Sequence, residues 1–126
     1  MKQRRKRQRR SVHMRWGVFG AVSSAIVAAI VVFFLDIPLY PALVIGLSLV
    51  LFLIYGFDKR RAMSGGGRVP EVVLHGLALA GGFAGGWAGR SVFRHKTRHT
   101  SFLVILLIST AVHAAFMIWI WGLSPR

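Results

Sequence analysis

The sequence predicts an all-α membrane protein with three full transmembrane helices plus a glycine-rich re-entrant helical hairpin, or with four transmembrane helices. Three observations predict it. Hydrophobic residues make up 55% of the 126. Apolar runs free of Lys, Arg, Asp and Glu cover about 17–35, 39–57, 72–89 and 101–121. The formal net charge of +14 lies in blocks before and between those runs, apart from Arg126 in the tail. A water-soluble core does not account for such runs in so short a chain, because too little polar surface remains to cover them. The length allows one domain, divided into a basic arm, 1–15, and a helical membrane domain, 16–126.

Met1–Arg15 carries eight Lys or Arg and no acid. Like charges at this density repel, so no fold of its own is expected. The arm reads as a positive-inside topology signal. Arg4, Arg5, Lys6, Arg7, Arg9 and Arg10 also suit binding to anionic phospholipid headgroups at about 1 kcal/mol per basic residue. Phosphate contacts to nucleic acid are the third reading. No aromatic residue within the arm supports base stacking.

Gly17–Leu35 has nineteen residues without a charge, enough for about 28 Å of helix. Arg15 and Trp16 are its interfacial anchors. No small-x-small cleavage site follows, so it reads as a retained signal anchor. Asp36–Pro41 is a tight turn, since the residue before each proline is pushed out of helical geometry. Leu39–Phe57 completes a helical hairpin whose basic ends share one side.

Asp58–Glu71 is a basic loop made pliable by Ser64–Gly67. It lacks the Gly-Lys-Ser/Thr ending of a phosphate-binding loop. Pro70-Glu71 reads as a helix start. Val72–Gly89 has six glycines in eighteen residues. Gly81, Gly85 and Gly89 recur every four residues, as do Gly82 and Gly86, giving smooth faces for close helix packing and for a second copy of the chain. The segment either crosses as one helix or breaks at Gly81-Gly82 into two re-entrant half-helices. Ser101–Trp121 is the last span.

The charge count bears on that choice. Lys and Arg number eight in the arm, none in Asp36–Pro41, four in Asp58–Glu71 and four in Arg90–Ser101. Basic loops stay cytoplasmic. A full crossing by 72–89 would place Arg90–His99 outside, whereas a re-entrant hairpin returns it to the cytoplasm. Irregular backbone at that depth is tolerated where protein buries it. The expected location is a cell membrane, multi-pass, with the N-terminus cytoplasmic.

Residues with chemical potential are few. Asp58 ends a span, where the helix dipole disfavours an acid, so a cationic partner is expected: Lys59, Arg60 and Arg61 are next to it, Arg68 or Lys96 could reach it in space, and Lys96 is a candidate because its long stem can follow the interface. Glu71 and His75 share a helix face. Asp58, Glu71, His75 and His95 match no zinc spacing, and no motif asks for a cofactor. His113, mid-span, invites a functional reading, against the plainer one of a histidine bonded to a neighbouring backbone. Serines in the spans read as packing residues. The chain has no cysteine, which excludes disulfides, thiolate nucleophiles and Cys-based zinc sites.

Tyr55, Asp58-Lys59, Arg68-x-Pro70-Glu71, His75, Gly81-Gly82-x-x-Gly85, His95-Lys96-Thr97 and Phe102 occur in that order. Together they resemble domain-of-unknown-function family 1294 over roughly Leu49–Val112. The resemblance implies a small bacterial integral membrane protein with no established activity. Some of that family carry a cold-shock nucleic-acid-binding domain ahead of the membrane part, where this chain has its basic arm.

Two function classes follow. In one, the protein is a non-catalytic module whose basic cytoplasmic face binds anionic headgroups. In the other, it is an enzyme or carrier acting on a phosphate-bearing lipid, with His75 or His95 as the acid/base group and Arg68, Arg90 and Lys96 as the phosphate clamp. Convergence of Asp58, Glu71, His75, His95 and Lys96 on one cavity separates the two.

Overall fold

A computed structural model describes residues 2–65, 69–93 and 100–123. The order is α1 (Lys2–Leu35), α2 (Leu39–Met63), α3 (Glu71–Leu77), a π-helical stretch (Ala78–Gly82), α4 (Phe83–Phe93) and α5 (Thr100–Leu123), with no strand among the described residues. α1, α2, the Glu71–Phe93 segment and α5 are each long and apolar enough to cross a membrane.

α1 corrects one expectation. The arm is not a separate disordered stretch: a single helix of 34 residues runs through it. That is about 51 Å, against a hydrocarbon core of about 30 Å. Lys, Arg and Gln are good helix formers, and the apolar part supplies the nucleus that a charged peptide alone could not. The helix stops at Asp36, which takes a left-handed φ of 51°; Asp is among the few residues that tolerate this. Pro38 then caps α2, and its carbonyl accepts the Ala42 N–H at 3.1 Å.

α2 returns antiparallel to α1, with Trp16 against Phe57 at ring centroids 5.5 Å apart. Its last turn carries Arg60 and Arg61, which complement the helix dipole. Gly65, at φ 74°, breaks the helix there.

The Glu71–Phe93 segment does not run straight. Gly81 has φ 141° and ψ −3°, a conformation that side chains beyond glycine rarely adopt. The chain reverses at this point. α3 descends from the Asp58 end of the bundle, and Gly81 lies against Val44 and Leu47, in the first half of α2. α4 then climbs back beside α2. Gly85 lies on Ser48, Gly89 on Tyr55, and the Phe93 ring is 5.1 Å from that of Phe52. The two arms therefore form a hairpin whose ends both lie at the Asp58 end.

Tyr55 and Phe102 fill the wedge between the arms. Each is 1% exposed, and their rings meet edge to face at 6.2 Å. Leu51, Leu74 and Leu106 complete this core. α5 runs antiparallel to α2, from Phe102 beside Tyr55 to Phe116 beside Tyr40. The glycine faces expected to be open to a second copy are covered by this chain's own α2 and α5: Gly82, Gly85 and Gly89 meet α2, and Gly86 meets Leu106.

An unwound apex leaves backbone carbonyls without their helical partners, and at depth these need donors. Three side chains supply them. Ser109 Oγ donates to the Ala78 carbonyl at 2.5 Å, His113 Nε2 to Leu79 at 2.9 Å, and Ser48 Oγ to Gly81 at 3.4 Å. A carbonyl only accepts, so Nε2 of His113 carries a proton. In the neutral ring, Nδ1 accepts from the Tyr40 hydroxyl at 2.6 Å. His113 thus bonds a neighbouring backbone, while Ser48 and Ser109 are donors rather than mere packing residues.

Candidate functional site

The chemically distinctive residues gather at the end of the bundle where α2 stops and the hairpin begins and finishes. Two consecutive residues of α2 hold the two ends of the hairpin. Asp58 is fully buried, and its carboxylate accepts the Val69 N–H at 2.7 Å, just before α3 starts. Lys59 donates its ammonium to the carbonyl of Phe93, the last residue of α4. A cation there neutralises the negative end of the α4 dipole. On a helix, neighbouring residues point about 100° apart, so one Asp-Lys pair reaches two different arms.

Tyr55, one turn earlier, lies within the electrostatic reach of both Asp58 and Arg90. His75, on α3, packs its ring against Phe102 at 4.4 Å, and its Nε2 is shielded from solvent. Pro70 caps α3. Its carbonyl accepts the Val73 N–H at 3.0 Å. Glu71 is exposed in the first turn. It borders a groove of about 650 Å³ walled by Arg5, Arg9 and His13 of α1 and by Pro70. The helical arm therefore lies beside the start of α3.

Of the sequence-predicted residues, the structure brings together Tyr55, Asp58, Lys59, Pro70, Glu71, His75 and Phe102 at this end. Gly81, Gly82 and Gly85 sit at the opposite, inner end of the hairpin. Arg68, His95, Lys96 and Thr97 lie outside the described residues, as does the expected meeting of Asp58 with Lys96. Arg4, Arg5, Lys6, Arg7, Arg9 and Arg10 are all exposed on the extended α1. Glu71 borders the arm groove, the Asp58 carboxylate turns to Val69, and the His75 ring turns to Phe102. Among the described residues, no three His, Asp or Glu side chains are placed to hold a metal ion.

Sequence reasoning missed the backbone partners of Asp58 and Lys59, because a backbone group leaves no residue signature. It also missed Ser109 as a donor. Ser109 and His113, four residues apart on one face of α5, were the available signal.

Residues 48–102 match the family described as a protein of unknown function (DUF1294). The Bacillus subtilis (strain 168) protein named "Uncharacterized protein YsdA" is 38% identical over 69 residues, a match covering 52% of this chain and 78% of that protein. The chain belongs to the DUF1294 family. The DUF1294 match begins at Ser48, the α2 residue that meets Gly81 and Gly85, and ends at Phe102, the α5 residue in the wedge. It thus encloses the hairpin, the Asp58-Lys59 pair that anchors it, and Tyr55 and Phe102 of the core. The basic arm and α1 lie outside the DUF1294 match. No solved structure matches the chain.

Proposed function

We propose that this protein is a non-catalytic membrane module whose basic end faces the cytoplasm and binds anionic phospholipid headgroups. One observation carries the proposal. Among the described residues, every Lys and Arg belongs to the N-terminal half of α1, the end of α2 or the end of α4, which lie together. The opposite end, around Asp36, Tyr40 and Trp119, has none among the described residues. Such one-sided charge matches the positive-inside pattern and the attraction of basic clusters to anionic lipid, about 1 kcal/mol for each Lys or Arg near the surface.

The contacts already made by Asp58 and His75 support a module over an enzyme. Asp58 is engaged in holding Val69, and His75 is packed against an aromatic ring. Neither is poised to exchange protons with a substrate.

The test is the lipid that accompanies the purified protein. Anionic phospholipid should be enriched over the bulk membrane. The enrichment should fall when Arg4, Arg5, Lys6, Arg7, Arg9 and Arg10 are all changed to Gln, and when salt is raised. A co-purified lipid composition equal to that of the bulk membrane contradicts the proposal.

A further inference from the structure

We infer that the outer groove between α1 and α2 is a binding site for one anionic phospholipid, with an acyl chain along the groove and the phosphate held by Arg15 and Arg61. The inference rests on the headgroup-binding reading above and gives it a specific site.

The groove has a volume of about 650 Å³, within the range of about 300–1,000 Å³ typical of small-molecule sites. α1 contributes Trp16, Phe19 and Val27 to its walls, and α2 contributes Val50, Leu53 and Phe57. Phe19 is 56% exposed and Leu53 59%, so the groove opens outward from the bundle rather than toward its core. From Arg15 to Val27 it runs twelve residues, about 18 Å of helix. That is close to one leaflet of a hydrocarbon core about 30 Å thick.

Polar groups concentrate at one end. Arg15 lines the groove beside Trp16. The Arg61 guanidinium sits over the Phe57 ring, 5.5 Å from its centroid, and Phe57 itself packs on Trp16. Stacking on the ring places the Arg61 guanidinium beside the groove mouth while leaving its N–H edge available. Two guanidiniums flanking one aromatic pair suit a phosphate diester, because the planar fork matches phosphate oxygens in pairs. The other end of the groove, at Val27 and Val50, has no charged side chain. Charge at the mouth and apolar walls along a leaflet's depth fit an amphiphile with an anionic head. A free phosphate would leave the apolar walls unused, and a zwitterionic lipid would bring its own cation beside the two guanidiniums.

Native mass spectrometry of the full chain tests this, with the protein released from detergent containing equal phosphatidylglycerol and phosphatidylcholine of matched chains. Wild type should retain one phosphatidylglycerol preferentially. Retention should drop about fivefold for each arginine removed by Arg15→Gln and Arg61→Gln. Ser23 also lines the groove. Ser23→Phe should abolish retention with both arginines in place. Arg15→Lys with Arg61→Lys keeps the charge but not the fork, and should retain an intermediate amount. These last two variants carry the test if the glutamine pair lowers the helix content seen by circular dichroism. Equal retention of the two lipids by wild type overturns the inference, as does wild-type retention by both Ser23→Phe and the arginine variants. Loss of phosphatidylglycerol only in the variant with a neutralised arm would leave the headgroup reading standing and remove the groove site. Retention unchanged in all variants would remove both.

Discussion

The carboxylate of Asp58, at the end of α2, holds the backbone N–H of Val69, eleven residues later, at 2.7 Å in a fully buried setting. The basic loop between them is thereby closed, and the start of the hairpin is fixed to α2. Removing a partner from a buried hydrogen bond exposes the other to its full desolvation cost, about 1–3 kcal/mol. Asp58→Ala should therefore lower the thermal unfolding midpoint in detergent clearly. Asp58→Asn keeps an acceptor oxygen and should lower it less. Equal midpoints for wild type and Asp58→Ala would refute this role.

Gly85 marks the closest approach of the hairpin to α2. A Cβ built there would lie within 1.7 Å of the Ser48 carbonyl oxygen, a backbone atom that cannot swing away. Gly85→Ala should destabilise the protein by at least the about 1–3 kcal/mol usual for overpacking. Gly76, on α3, has nothing within 4 Å of its virtual Cβ. Gly76→Ala should be neutral or stabilise by up to about 1 kcal/mol. Unfolding midpoints of the two variants in detergent check the contrast.

The apex depends on donors from two helices, α2 and α5. His113→Phe leaves the Leu79 carbonyl without its donor, and Tyr40→Phe leaves Nδ1 of His113 without its partner. Each should destabilise. The double variant should cost less than the sum, because residues in one hydrogen-bond network couple by about 0.5–3 kcal/mol. Strict additivity in thermal unfolding would show that the three groups do not act together.

The helical arm grades its own charges. Along α1, Arg10 lies about 9 Å beyond Trp16 and Arg4 about 18 Å, against a screening length of about 8 Å at physiological salt. Changing Arg9 and Arg10 to Gln should therefore weaken retention of phosphatidylglycerol more than changing Arg4 and Arg5. The opposite order would indicate an arm folded back onto the surface.

Much of this fold is readable in the sequence because the membrane imposes it. Uncharged runs mark the helices, the prolines around Asp36 mark the turn, and the placement of Lys and Arg argues that 72–89 returns to its starting side. Gly81-Gly82 is readable as a break, since glycine alone takes φ 141° without strain. The helical arm is not readable from its charge, because its nucleus lies in the neighbouring apolar run. The partners of Asp58 and Lys59 are illegible for another reason: Val69 N–H and Phe93 C=O are backbone groups, present at almost every position. Nor does periodicity show which helices a glycine face will meet, so Gly85 and Gly89 read equally as a surface for another copy. Tyr40 and His113 stand 73 residues apart, and only the fold brings them together.

Central to this account is that both ends of Glu71–Phe93 lie at the end of the bundle where α2 stops. The chain has no native cysteine, so single cysteines at Ser64, Thr100 and Ile37 can report sidedness through an impermeant thiol reagent applied to intact cells and to inverted vesicles. Ser64→Cys and Thr100→Cys should label from the same side, the cytoplasmic one, and Ile37→Cys from the other. Labelling of Ser64→Cys and Thr100→Cys from opposite sides would mean that the segment crosses, and would contradict the account.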